Sequence, residues 1–191
     1  MRTKDEIRSD YIRKRKELGE LERQRLSRQI ADQAMGYLSE NQWIKHIHVF
    51  LPSERLNEIN TWVLVKELFT SQKNVYTSVT DFDLKVMRTV LIDIHTEFTR
   101  DKFNLPVPIN PLFIGEQQLD LVFVPLLAFD LKGMRVGYGK GFYDKFFTAM
   151  KRDVRKIGLS YFPPMDVLPS ESHDVLLDGC ILPDKVINLK K

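Results

Sequence analysis

Leu119-Asp-Leu-Val-Phe-Val-Pro-Leu-Leu-Ala-Phe-Asp130 contains the longest apolar run of the chain, from Leu121 to Phe129. Its first part, Leu119 to Val124, is apolar at nearly every position rather than at alternate ones, the composition of a central strand covered on both faces. A membrane-spanning helix needs roughly 20 apolar residues. This run is far shorter and contains Pro125, so it reads as a buried strand that leads into a loop.

Helices and strands alternate on either side of it. Thr3 and Glu6 have the spacing of a capping box, which predicts a helix from Lys4 to about Leu18. Leu21, Leu26, Ile30, Ala34 and Leu38 recur near the helical period, predicting a second helix that stops around Asn41. A first strand is expected over Ile47 to Leu51, ended by Pro52, and then a helix capped by Asn60 or Thr61 and running to about Thr70. Val75 to Val79, Val86 to Ile92 and Ile157 to Tyr161 are strand-like, and Phe142 to Lys151 is helix-like. The three-proline stretch Phe103 to Pro111 reads as an ordered extended loop. The alternation points to an α/β fold: one layered domain over residues 1–191, Rossmann-like, with a mostly parallel sheet flanked by helices. Ligands of such sheets bind beyond the carboxyl ends of the strands, which directs attention to the loop after Val124.

That loop carries the most informative motif, Gly133-Met-Arg-Val-Gly137-Tyr-Gly139-Lys140-Gly141-Phe-Tyr143-Asp144. Three glycines at alternate positions allow close backbone approach to a ligand, and the amides there, with the start of the next helix, suit a phosphate. Lys140 adds a mobile positive charge, and Asp144 stands where a carboxylate can hold a phosphate-bridging magnesium. The pattern is neither G-x-G-x-x-G nor a P-loop, because no Ser or Thr follows Gly-Lys. In the first helix, Lys4, Arg8 and Arg15 share one face and form a candidate anion clamp, whereas Arg2, Arg13, Lys14 and Lys16 read as solvated surface.

Composition adds exclusions. With 43% hydrophobic residues in 191, one sizeable core is affordable, and 29 Lys and Arg against 26 Asp and Glu give a net charge of only +3. A nucleic-acid module using the basic first helix is disfavoured by that near-neutral balance and by the lack of an interleaved basic-aromatic stripe. Cys180 is the single cysteine, which matches a reducing cytoplasm, and its neighbours make it a small buried residue. The charged segment Met1 to Lys16 has the pattern of neither a secretory signal nor a membrane anchor. His46 and His48 alternate along a strand start and read as structural, while His95 and His173 are isolated.

Lys4-Asp-Glu-Ile-Arg8, Phe50-Leu51 followed by Glu58-Ile-Asn-Thr61, and Val124-Pro125 through Phe129-Asp130, Gly133 and Arg135 to Asp144 together resemble the 5-formyltetrahydrofolate cyclo-ligase family, from about Thr3 to Leu182. The resemblance implies a cytoplasmic ligase that uses ATP and magnesium to close 5-formyltetrahydrofolate into 5,10-methenyltetrahydrofolate. It implies ATP contacts at Lys4, Arg8, Arg135, Val136, Gly137, Tyr138, Gly139, Lys140, Gly141, Phe142 and Tyr143, with Lys140 and Arg135 catalytic. Folate contacts would come from Leu51, Glu58, Phe103, Tyr138, Gly139, Lys140, Gly141 and Phe142, and magnesium ligands from Asp144 and Asp174. No nucleic-acid or membrane partner is implied, and a monomer or weak homodimer is expected. Three positions depart from the family pattern: Phe142 stands where many relatives carry Tyr, Phe103 where Trp is frequent, and Val107 where a polar residue is usual. A sugar-phosphate isomerase or acyl-carrier relative shares the fold class and differs in needing no ATP.

Overall fold

The structure, a computed structural model, describes residues 2–115, 118–148, 150, 154–172 and 174–189. In chain order the elements are α1 (Lys4–Glu17), α2 (Glu20–Glu40), β1 (His46–His48), a 3-10 turn (Glu54–Leu56), α3 (Trp62–Phe69), β2 (Asn74–Asp81) and β3 (Val86–Ile92). They continue with β4 (Phe98–Arg100), β5 (Pro106–Pro108), β6 (Leu112–Phe113), β7 (Leu121–Pro125), β8 (Ala128–Phe129) and β9 (Arg135–Val136). The last are α4 (Phe142–Thr148), β10 (Arg155–Leu159), β11 (Gly179–Ile181) and β12 (Val186–Asn188).

Among the described residues, eight strands form one sheet in the order β12-β11-β10-β7-β1-β2-β3-β6. Its centre is parallel, through β11–β10, β10–β7, β7–β1 and β1–β2, and its edges are antiparallel. This is the mostly parallel α/β sheet expected from the sequence. The apolar stretch is indeed central: β7 lies between β1 and β10, and its side chains alternate between two cores. Leu121 and Phe123 join the cluster formed with α2 and α3, and Val122 and Val124 join the one closed by Phe146 and Phe147 of α4. All four are fully buried, each burial stabilising the fold by ~1.5–3 kcal/mol.

The capping box forms as its spacing demands: Glu6 N–H donates to the Thr3 hydroxyl at 3.2 Å and Thr3 N–H to the Glu6 carboxylate at 2.8 Å. The α1 helix is otherwise very polar, and it is held by Ile7 and Tyr11, which pack on Leu127, Ala128 and Val136 of the β8–β9 hairpin. That contact leans the amino-terminal turn of α1 over the glycine-rich loop.

Several boundaries differ from the sequence reading. The first strand ends at His48 rather than Leu51. Val49 still bonds the Tyr76 carbonyl at 2.8 Å, but the Phe50 carbonyl is taken at 2.6 Å by the hydroxyl of Thr61. Thr61 is thereby diverted from capping α3, and Asn60 accepts from Trp62 N–H at 3.3 Å instead. The Phe103 to Pro111 stretch is not simply a loop, because Pro106–Pro108 pairs with Phe98–Arg100 in a two-stranded ribbon. A ribbon with free edges accepts prolines, which have no N–H to offer a neighbour. The last predicted strand runs from Arg155 to Leu159, and beyond it the Ser160 hydroxyl bonds the Phe162 carbonyl at 2.8 Å in a turn. The helix predicted to reach Lys151 ends at Thr148, and Lys151 lies outside the described residues, as does His173.

Because β1 is so short, both of its neighbours run past it. β2 pairs with β1 only over Asn74 to Tyr76 and continues to Asp81 alongside β3, and β7 continues to Pro125 alongside β10. A crevice opens at the carboxyl end of β1, between the two longer strands.

Candidate active site

The crevice widens into a cleft of ≈ 900 Å³. Of the residues that the sequence assigned to a ligand, Lys4 and Arg8 from α1, Leu51 and Glu58 beyond β1, Phe103 from the β4–β5 turn, Arg135 through Asp144, and Asp174 line it, and Arg15 does not. Their convergence is a property of the fold.

The glycine-rich wall is built from Asp130 upward. This fully buried carboxylate accepts N–H bonds from Lys132 at 2.9 Å and Met134 at 3.0 Å through one oxygen and from Leu168 at 2.9 Å through the other. It fixes the tight turn between β8 and β9, in which Gly133 has φ +86° and a Cβ would lie 2.8 Å from the Leu177 carbonyl oxygen. The chain leaves β9 through Gly137, and the Gly137 carbonyl accepts from Arg8 Nε at 3.0 Å. Gly139, at φ +79°, lets that guanidinium lie against the backbone, since a Cβ would be 3.0 Å from Arg8 Cζ. The loop is thus moulded around a cation. Lys140 is exposed and, among the described residues, makes no hydrogen bond or ion pair. The loop is followed by the short helix α4, with Gly141 at φ +69° just before it.

Two cation–carboxylate pairs line the same wall. Arg135 donates to Asp144 at 2.5 Å and to the Val175 carbonyl, and Asp144 also accepts from Val175 N–H at 3.4 Å. Lys4 sits 2.8 Å from Asp174 and 3.2 Å from Glu171. Among the described residues no group of three or more His, Cys, Asp or Glu side chains is placed to hold a metal ion. Asp144, Asp174 and Glu171 nevertheless edge one cleft. One or two carboxylates beside phosphate oxygens and water suit magnesium, which seldom uses a protein-only cage.

The opposite wall is aromatic. Phe82, in the β2–β3 turn, lies 4.0 Å from the Phe103 ring and 5.5 Å from Phe142, centroid to centroid, so the two turns and the glycine-rich loop meet over the cleft. Met87, Leu105 and Val107 extend this surface. Glu58 stands between the walls, with a carboxylate oxygen accepting from Ser53 N–H at 2.7 Å. Burial pushes its carboxyl above the usual range, against the pull of Ser53 N–H, the charge of Arg15 and a hydrogen bond from Tyr138. The floor holds His48, fully buried, its Nε2 2.6 Å from the Ser78 hydroxyl and its pKa pulled down by burial to about 3.

A family model for the 5-formyltetrahydrofolate cyclo-ligases matches residues 1–183. The chain belongs to this family. It is 30% identical over 184 residues to the 5-formyltetrahydrofolate cyclo-ligase of Haemophilus influenzae, covering 91% of this chain and 94% of that protein. With the enzyme of the same name from Mycoplasma genitalium it shares 27% identity over 159 residues, 83% of this chain and 84% of the other. The NMR structure of Aquifex aeolicus 5,10-methenyltetrahydrofolate synthetase superposes with a TM-score of 0.84 at 25% identity, covering 98% of this chain and 93% of that one. The synthetase from Mycoplasma pneumoniae gives 0.75 at 25% identity, with 94% and 98% covered. The cyclo-ligase fold and its ligase class therefore apply to this chain.

For a cyclo-ligase, the clearest lining residue that the sequence reading missed is Phe82. Its signal was available in Asp81-Phe-Asp83, a large apolar side chain at the tip of a polar turn. His48, read as structural, bonds Ser78 through Nε2, yet among the described residues its buried Nδ1 finds no partner, and the residue also lines the cleft. Arg15 shares the face of Lys4 and Arg8 yet is no part of an exposed clamp: only 3% exposed, it lies beneath the loop. The reason is that Ile7 and Tyr11, on the same face, draw that stripe into the core. Arg13, by contrast, is a solvated residue paired with Asp10 and Glu17, as expected.

Proposed function

We propose that the chain converts 5-formyltetrahydrofolate and ATP to 5,10-methenyltetrahydrofolate, ADP and phosphate in the presence of magnesium, as a cytoplasmic monomer or weak homodimer. The observation that carries this reading is the pairing of two unlike walls across one cleft. A cationic glycine-rich wall suits a triphosphate, and an aromatic wall with the half-buried Glu58 carboxylate beside it suits a pterin.

On this reading the amides of residues 137 to 141 and the side chains of Lys4, Arg8 and Arg135 hold the phosphates, and the exposed Lys140, which has no partner to leave among the described residues, neutralises the transferring group. Arrival of phosphate competes for Arg135 and Lys4 and frees carboxylate oxygens on Asp144 and Asp174. Magnesium, held there, would supply charge neutralisation between the phosphates. Glu58 orients the pterin through its ring N–H donors, and Phe82, Phe103 and Phe142 pack on its planar face.

The formyl oxygen attacks the terminal phosphorus and ADP leaves, giving an imidoyl phosphate. The aryl nitrogen then adds to the activated carbon and loses its proton, and expulsion of phosphate forms the methenyl bridge. No protein nucleophile is needed, so positioning and electrostatics dominate. The test is the absorbance of methenyltetrahydrofolate, followed with ATP and magnesium together and with each alone. Product only when both are present is the expected result; product without ATP would refute the reading.

A further inference from the structure

Arg15 is a buried cation for which the reaction just described has no direct use. It does not line the cleft. Its Nη1 lies 2.5 Å from the Tyr138 hydroxyl, its Nη2 bonds the Leu126 carbonyl, and its Nε has no hydrogen-bond partner among the described residues. Among the described residues no carboxylate is within ion-pair distance of it. Burying an arginine without a contacting counter-ion costs several kcal/mol, and arginine cannot escape the cost by losing its proton. A bond to the Leu126 carbonyl does not call for a charge, and the Tyr138 and Tyr161 rings, 5.9 and 6.0 Å from its Cζ, offset only part of one. The charge does have a target at longer range, because Arg15 and the Tyr138 hydroxyl are two of the groups that oppose the effect of burial on Glu58.

Tyr138 itself belongs to the glycine-rich loop, between Gly137 and Gly139, and its hydroxyl meets the Glu58 carboxylate that stands between the walls of the cleft. We infer that Arg15 is a positioning residue for folate recognition: its guanidinium fixes the Tyr138 hydroxyl against Glu58, so that one buried cation sets both the loop facing the nucleotide and the carboxylate facing the folate. This rests on the function proposed above. The other groups facing Glu58 are Ser53 N–H, Tyr143 from α4, and Tyr161, whose hydroxyl donates to the Glu58 backbone carbonyl at 3.1 Å. None of these carries a positive charge.

The experiment compares Arg15→Met, Arg15→Lys and Tyr138→Phe with wild type in two readouts. The first is the carboxyl titration of Glu58 in the ligand-free protein, followed by carbon NMR of labelled glutamate and assigned with Glu58→Gln. Arg15→Met should move this titration upward by about one pH unit, Tyr138→Phe upward by less, and Arg15→Lys should restore it. The second readout is KM, expected to rise for 5-formyltetrahydrofolate by about tenfold in Arg15→Met while KM for ATP changes by less than about threefold. An Arg15 that only supports the fold would lower Tm and leave the Glu58 titration where it was. If Arg15→Met does not fold, Tyr138→Phe removes the same link without emptying the Arg15 site. An unmoved titration in the folded variants overturns the inference. Should wild type fail to turn over formyl folate with ATP, the proposed function falls, and the NMR titration still decides the Arg15–Tyr138–Glu58 link.

Discussion

The glycine-rich wall stands on the buried β8–β9 hairpin, locked by Asp130 and backed by α1, whereas the aromatic wall hangs from the β2–β3 and β4–β5 turns at the rim of the sheet. The first presents polar groups held by many hydrogen bonds. The second presents rings that touch mainly one another. A wall that must oppose spread-out phosphate charge gains from fixed dipoles, because dipoles already in place need no reorganisation during the reaction. A wall that grips a flat ring system gains from surfaces that close on it, and turns supply that adaptability.

The largest effect should come from the first wall. Lys140→Ala is expected to lower turnover about 10³-fold with Tm unchanged, since the side chain is exposed and makes no hydrogen bond or ion pair among the described residues. Absorbance assays and calorimetry check this, and turnover near the wild-type value would remove Lys140 from the chemistry. Glu58→Gln, at the join between the walls, should reduce kcat/KM for the folate about 10²-fold. It should also stabilise the protein. The Glu58 carboxyl is raised above its usual 4.5 by burial, so its ionisation costs the folded state stability as pH rises, and a neutral amide avoids that cost. Urea unfolding should therefore find Glu58→Gln more stable than wild type near neutrality and no better under acid conditions; equal stability at both would contradict the sign.

The second wall should respond more gently. Phe82→Ala and Phe103→Ala are each expected to weaken folate binding about fivefold while sparing ATP, and the double variant should reveal a coupling of ~0.5–1.5 kcal/mol through their ring contact. Isothermal titration measures all three, and equal losses for both ligands would erase the distinction between the walls. The smallest effect at neutral pH belongs to the floor. His48 titrates near 3 in the fold against 6.5 ordinarily, so stability drains away as pH falls from about 6.5 toward 3. His48→Gln, whose amide still reaches Ser78, should flatten that acid decline in melting experiments, and a decline parallel to wild type would place its origin elsewhere.

The same contrast explains what the sequence made legible. Glycine spacing, a lone lysine and the Phe129-Asp130 pair announce the first wall because its parts are contiguous and each has a local reason, as the Asp130 turn shows. The central strand was equally plain, since burial on both faces leaves an unbroken apolar run. The ribbon of β4 and β5 was hidden because its pairing joins Phe98 to Pro108, and prolines in sequence argue for loops. Phe82 was hidden because it reaches Phe103 and Phe142 only after the chain has folded back twice. Arg15 was legible as to its side of the helix but not its depth, which depends on how far Ile7 and Tyr11 sink into the β8–β9 contact.

The brevity of β1 has a consequence for how the binding space is made. The cavity exists because β1 pairs over only three residues with β2 and two with β7, the Phe50 carbonyl having been recruited by Thr61. Two or three more rungs of the ladder would zip the floor shut. The capacity of this protein for a large substrate is thus governed by where a single strand stops, and a threonine hydroxyl acts as the stop.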